Sequence, residues 1–321
     1  MDVLNLLGNM LNITLVYSTA LVLASLGGIL SEKSGVENVG LEGLMTVGAF
    51  TAAVSVHFMQ AHWQLAGTSL WIGVGAAVAA GALFSLIHAV AAITFKSNQV
   101  ISGIVINFLA AGSTLYLVKL LFEGSATTDT LSVVFSKVDI PFLSSIPFLG
   151  PALFSAYPTT YLALLLVGAV YFILFKTPAG LRLRATGEHP GAVDTLGISV
   201  YRIRYAAVMA SGALAGLGGA AITLTTTSNF TYNTISGQGF IALAVMIFGK
   251  WNPFGALGAA MFFGFAQAIG SILQIYSWAD GIPREYIYML PYVLTVLVLV
   301  GVIGKARPPG AIGKIYDPTV R

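Results

Sequence analysis

Nine apolar runs, at roughly 10–30, 41–58, 69–95, 98–122, 158–176, 205–226, 237–249, 254–276 and 286–304, constrain this chain more than any other feature. In hydrocarbon every backbone N–H and C=O needs a partner within the protein, which leaves helices as the structure for runs of this length. At about 1.5 Å per residue, some 20 residues cross the roughly 30 Å apolar core of a bilayer. The reading is an all-α chain, a polytopic transmembrane helix bundle of about nine spans forming a single domain over 1–321. With 57% hydrophobic and only 8% charged residues, and a mean hydropathy of +0.87, a soluble globular fold is excluded. The seventh run is too short to cross alone. The preceding segment 229–236 must therefore dip into the membrane or line a polar cavity, because irregular backbone survives there only where protein or water satisfies it.

The first 12 residues hold an acid and neither Lys nor Arg, so the basic start of a signal peptide is missing and the first run is taken as a retained span. No cysteine occurs, which rules out a disulfide framework, a thiolate metal site and a cysteine nucleophile. The net charge of +3 does not indicate nucleic acid, since the basic residues form no stripe interleaved with aromatics. Their distribution encodes orientation instead. With alternating spans and the C-terminus in the cytoplasm, Lys33, Lys96, Lys176, Arg182, Arg184, Arg202, Arg204, Lys250, Lys305, Arg307, Lys314 and Arg321 lie inside, and only Lys119, Lys137 and Arg284 lie outside. The expected location is a cell membrane, multi-pass, with the N-terminus outside. Trp63, Trp71, Trp251 and Trp278 then fall at membrane edges, where an amphipathic ring is favoured.

Two connections exceed what topology needs. The outside one, 123–158, places Pro141, Pro147, Pro151 and Pro158 among Phe and Leu, and reads either as interfacial pieces covering the bundle mouth or as a spacer. The inside one, 177–204, carries helix punctuation: Pro190 suits a first helical turn, Glu188 lies just ahead of it, and Gly197 follows the last plausible turn. A cytoplasmic helix of one to two turns follows, too short to be stable without something to pack against.

The run Arg184-Ala185-Thr186-Gly187-Glu188-His189-Pro190-Gly191-Ala192, followed by Gly197-Ile198, resembles the cytoplasmic coupling segment of bacterial ABC-importer permeases of the branched-chain amino acid, simple sugar and nucleoside group. Gly35-Val36-Glu37-Asn38-Val39-Gly40-Leu41-Glu42-Gly43 resembles the group's motif after the first span. Gly237-Gln238-Gly239-Phe240-Ile241-Ala242-Leu243-Ala244, with Gly249-Lys250-Trp251-Asn252-Pro253-Phe254-Gly255-Ala256, is similar to its third signature. The form of the first motif looks most like nucleoside permeases that work with a lipoprotein of the basic membrane protein family. The resemblance implies a type II importer permease, paired with a second, related permease subunit, two copies of an ATP-binding subunit and one extracytoplasmic lipoprotein. ATP and Mg would belong to the partner ATPase, with no cofactor in this chain. Coupling would run through Gly187, Glu188, Pro190, Ala192 and Gly197.

Read without the resemblance, Gly35, Gly40 and Gly43 crowd Asn38 and two acids at a membrane boundary, a composition that breaks a helix. Glu37 and Glu42 are five apart and would not share a helix face. Both read as headgroup-level partners of Lys33 or an Arg, or else the broken segment lines a polar path with Asn38 and Glu42 offering hydrogen bonds to a solute. Asn107 lies midway along the fourth run, and Gln267 and Gln274 share a face of the eighth; each is either an interhelical hydrogen-bonding residue or a path contact. Thr223, Thr225, Thr226, Thr227, Ser228 and Asn229 form a hydroxyl-rich end suited to a wet cavity, with Gln238 close behind. The candidate solute contacts are Asn38, Glu42, Asn107 and Gln238. His88 reads as a packing residue. Gly73, Ala77 and Gly81, like Gly212, Gly216 and Ala220, recur every four residues and permit close helix approach.

No His-Glu-x-x-His, no Gly-x-Ser-x-Gly and no grouping of the four histidines suggests catalysis, so an enzyme is disfavoured and neither catalytic nor metal residues are assigned. An ion-driven carrier would place ionisable groups deep in its spans, whereas the acids here sit near ends and loops. An ATP-driven permease needs none there, and the absence of a Gly-x-x-x-x-Gly-Lys-Ser/Thr loop assigns ATP hydrolysis to another subunit. The expected cargo is a small polar solute, a nucleoside first, with a simple sugar or branched-chain amino acid as alternatives.

Overall fold

The computed structural model describes residues 3–63, 66–144, 146, 148–273, 286, 289, 293, 296 and 307–317. Gln274, Trp278, Arg284, Lys305, Arg321 and most of the ninth run lie outside these.

Seven of the described helices are long and apolar enough to cross a membrane. They are α1 (Val3–Lys33), α2 (Leu41–Trp63), α3 (Ala66–Ala89, prolonged by a π-turn at Val90–Thr94), α4 (Gln99–Leu121), α6 (Pro158–Lys176), α9 (Val200–Ile222, prolonged by a π-turn at Thr223–Thr227) and α11 (Pro253–Leu273). Shorter pieces are α5 (Leu149–Leu153), α7 (Pro178–Glu188), α8 (Pro190–Thr195) and α10 (Gln238–Phe248), and a two-stranded antiparallel ribbon pairs β1 (Val138–Asp139) with β2 (Ser155–Ala156). Local chemistry sets many of the starts. Proline occupies the first turn of α6, α7 and α8, where its missing N–H costs nothing. Asn98, Thr177 and Ser199 each accept a bond from a free N–H of the turn they cap.

Burial sorts the helices. α1 runs through the middle against α9, α10 and α11, while α4 turns a stripe of Ile101, Val105, Phe108, Tyr116 and Leu120 outward, Phe108 being 74% exposed. Such a stripe is at home against lipid. The two small-residue rows pack on each other: a Cβ on Gly81 would collide with the Gly212 carbonyl, and one on Gly216 would meet the Ala77 carbonyl oxygen at 2.5 Å. Gly73 does the same for α2, where its Cβ would stand 2.5 Å from Val56. Without a hydrophobic drive between helices in lipid, this close backbone contact is the main source of association.

The described basic side chains gather at one end of the bundle, with the α1–α2 and α3–α4 turns, α7, α8, the start of α9, the α10–α11 turn and residues 307–317. Lys119 and Lys137 are the exceptions, at the opposite end. That opposite end is covered by the described residues of 123–156, which are structured rather than a spacer. They pin the irregular segment after α9: Thr128 N–H donates to the Phe230 carbonyl (2.9 Å), Leu131 N–H to Ser228 (2.8 Å) and Phe135 N–H to Leu224 (2.9 Å). Within 229–236, Phe230 and Ile235 are buried, and the Phe230 carbonyl is paired to the Thr128 N–H.

Candidate functional site

The glycine-rich turn joining α1 to α2 is built first from glycine's backbone freedom, Gly35 standing at φ +89°. Side chains from distant elements then satisfy its backbone. Gln99 Oε1 accepts from Glu37 N–H (2.7 Å), and the His88 ring bridges Ser102 Oγ and the Glu37 carbonyl, both at 3.0 Å. Asn107 accepts from Gly43 N–H (2.8 Å) and donates to the Val39 carbonyl (3.1 Å). Asn38, fully buried, donates to Ser211 Oγ (2.9 Å) on α9 and accepts from Gly40 N–H (3.1 Å). His88 is thus the packing residue expected of it.

Glu42 reaches across to the broken helix. Its two carboxylate oxygens accept the N–H groups of Gly237 and Gly239, each at 2.6 Å, at the start of α10. A helix start carries free N–H groups and a partial positive charge, and a carboxylate answers both. Gly237 holds φ +87°, and a Cβ on Gly239 would strike the Glu42 backbone. The reading of Glu37 and Glu42 as partners of Lys33 or an Arg is corrected: among the described residues neither forms an ion pair. Burial raises the Glu37 carboxyl above its ordinary pKa.

Asn38, Glu42 and Asn107 therefore hold one another's elements together, and Gln238 stands apart from them. It lines a cavity of about 160 Å³ together with Tyr17, Thr19, Tyr157, Thr159, Thr160 and Thr225–Thr227. A second lobe of about 210 Å³ shares Val16, Tyr17, Tyr157, Thr225 and Thr226 and opens toward Asn12 and Lys137 at the less basic end. The inner lobe has no charged lining residue. The outer one has Lys137, whose ammonium donates to Asn12 Oδ1. The π-turn that widens the end of α9 supplies three of the threonines, and π-turns inside helices are frequent at functional sites. Thr225–Thr227 and Gln238 were legible as a polar run beside a short span. Tyr17, Thr19, Tyr157, Thr159 and Thr160 were not, since each is one polar residue in or beside an apolar run; a Thr19–Thr160 hydroxyl pair (2.9 Å) is visible only once α1 meets α6.

At the basic end, α8 is the expected short helix, with Pro190 in its first turn and Gly197 left-handed after it (φ +74°). The structure adds α7 before it, where only a loop with punctuation was expected. Glu188 therefore ends α7 instead of leading α8, and its carboxylate accepts from Gly310 N–H (3.1 Å). Gly187 is buried against α1, where a Cβ would collide with the Lys33 carbonyl, and its own carbonyl accepts from Ala311 N–H (2.8 Å). Ala192 and Leu196 face outward, Leu196 at 76% exposure. Residues 307–317 strap this end: Lys96 pairs with Asp317, which raises the ammonium pKa, and Tyr316 packs on Tyr201 with ring centroids 5.9 Å apart.

In the third signature, Lys250 and Trp251 take successive left-handed conformations (φ 54° and 52°) to turn α10 into α11. Trp251 secures that turn by donating its indole N–H to the buried Glu32 carboxyl (2.6 Å).

The family described as branched-chain amino acid transport system / permease component matches residues 10–299. The guanosine ABC transporter permease protein NupQ of Bacillus subtilis is 52% identical, with 98% of each chain covered. The nucleoside ABC transporter permease protein NupC of Lactococcus lactis is 38% identical over 98% of this chain and 99% of its own. The putative glucose ABC transporter permease protein TsgC13 of Haloferax volcanii is 36% identical over 81% and 76%. With a bundle of membrane-spanning helices and a match along nearly its whole length, this chain belongs to the branched-chain amino acid transport system permease family.

Proposed function

We propose that this chain is the permease subunit of an ATP-driven nucleoside importer working by alternating access. The observation that carries the reading is the 52% likeness, end to end, to a permease named for guanosine. The cavity agrees with it chemically. In transporters a half-helix N-terminus in the membrane serves as a site for anionic substrate groups. In this chain the two N–H groups at the start of α10 are taken by Glu42, and the inner lobe offers hydroxyls and an amide but no cation. A zwitterionic amino acid finds no counter-charge for its carboxylate there, whereas a neutral solute finds replacements for its bonds to water. Unmade bonds would cost about 1–3 kcal/mol each. The glucose-named relative favours a simple sugar as the second reading.

The architecture proposed is the type II permease with nine spans, the basic end and C-terminus in the cytoplasm, and the lobe near Lys137 facing outward. An external lipoprotein delivers the solute to that lobe. Two ATPase subunits, which bind ATP and Mg, seat α8 in a groove through the outward face of Ala192 and Leu196. A second, related permease completes the pore. Uptake of labelled guanosine and uridine by cells carrying the complete transporter, against a strain lacking this subunit, tests the cargo. Nucleoside uptake is expected to fall to background. Unchanged nucleoside uptake with loss of a free sugar or branched-chain amino acid would overturn it.

A further inference from the structure

The cavity contains one group that its hydroxyls do not explain. Gln238 and Gln267 face each other amide to amide, Gln238 Nε2 donating to Gln267 Oε1 at 3.1 Å and Gln267 Nε2 donating back to Gln238 Oε1 at 3.3 Å. The pair lies around the upper end of the N–H···O distance range. Its two members are not equivalent. Gln238 is a lining residue of the inner lobe, and Gln267 on α11 stands behind it.

An amide presents an acceptor and a donor side by side in one plane, and a reciprocal amide pair has the same pattern as a nucleobase edge with neighbouring donor and acceptor. Rotating the amide by half a turn exchanges the two, so one glutamine serves a base of either polarity. The rest of the lining suits the other half of a nucleoside. Threonine hydroxyls match sugar hydroxyls, and Tyr17 and Tyr157, shared by both lobes, add aromatic residues of the kind that bases stack on.

Resting on the nucleoside reading above, we propose that Gln238 is the specificity-determining residue: on binding it gives up Gln267 and pairs with the hydrogen-bonding edge of the base. Gln267 is its placeholder in the empty site. A base with a polar edge replaces the two bonds that Gln238 gives up, leaving only Gln267 to be satisfied otherwise, whereas a base without one leaves both glutamines unpaired. A site built to hydrogen-bond a substrate group discriminates strongly against analogues that lack it.

The test compares Gln238→Met and Gln267→Met in the complete transporter, methionine keeping glutamine's length. Transport affinity for guanosine, adenosine and uridine is read beside thermal unfolding of the purified complex. For Gln238→Met the half-saturating concentration is expected to rise about tenfold or more for all three, the effect of losing two net amide bonds. For Gln267→Met it stays the same or falls, because the competitor for Gln238 is gone. Equal impairment by both variants would mean that the pair only joins α10 to α11, and would overturn the proposal. Should Gln238→Met not assemble, the unaltered transporter decides: a benzimidazole riboside, whose base lacks the polar edge, must compete with guanosine at least tenfold more weakly than inosine does. Equal competition also overturns it. Absence of nucleoside uptake by the unaltered transporter would instead refute the cargo reading.

Discussion

Glu42 and Glu37 sit in one glycine-rich turn, and the structure gives them unrelated work. Glu37 contributes backbone groups to the Gln99 and His88 bonds, whereas Glu42 contributes its carboxylate to the start of α10. Replacing Glu42 by Ala strands two N–H groups at a helix start, and with about 1–3 kcal/mol for each the expected loss is on the order of 2–6 kcal/mol. Glu42→Gln keeps one acceptor and should lose roughly half of that. Denaturant or thermal unfolding of the detergent-solubilised complex measures both, and an Ala variant as stable as the parent would refute the cap. That polar residues matter in this turn was legible from Asn38, Glu42 and the glycines. Their partners were not. Ser211 lies 173 positions from Asn38, and Gly237 lies 195 from Glu42, so only the packed bundle brings them together.

Among the elements, the eight apolar runs that fall on the described residues recur as helices, because length and proline placement act locally and leave a mark in the sequence. The two π-turns, α7 and the strap of 307–317 left none, since each depends on what the neighbouring element offers. The strap and α7 also refine how the coupling end should respond to change. Gly187 is a backbone contact with α1, and Ala192 is an exposed surface position on α8. Gly187→Val therefore should lift α7 from Lys33, lowering thermal stability and uncoupling transport together, since overpacking a close contact typically costs about 1–3 kcal/mol. Ala192→Trp should leave stability unchanged and abolish stimulation of ATP hydrolysis by the loaded binding protein. Both readouts come from the reconstituted transporter. A destabilised Ala192→Trp permease, or one with normal ATPase stimulation, would contradict the docking role given to α8.

For the whole molecule, α9 starts beside α7 and α8 and ends in the threonine π-turn at the cavity, and on its way it touches α1, α2 and α3 through glycine contacts. Tight backbone packing transmits displacement with little slack, so movement at α8 has a stiff path to the cavity wall. That path imports solute only if α8 is cytoplasmic and the lobe near Lys137 is external. The charge distribution favours this orientation: all the described Lys and Arg side chains except Lys119 and Lys137 lie at the α8 end, and basic residues near membrane ends are retained on the cytoplasmic side. The chain has no cysteine, so single cysteines can report the orientation without background. Ala126 is exposed in the segment covering the far end, and Ala192 is exposed on α8. A membrane-impermeant maleimide applied to intact cells is expected to label Ala126→Cys and to spare Ala192→Cys until the membrane is permeabilised. Labelling of Ala192→Cys in intact cells, with Ala126→Cys protected, would invert the bundle and put α8 out of reach of the cytoplasmic ATPase proposed to dock on it.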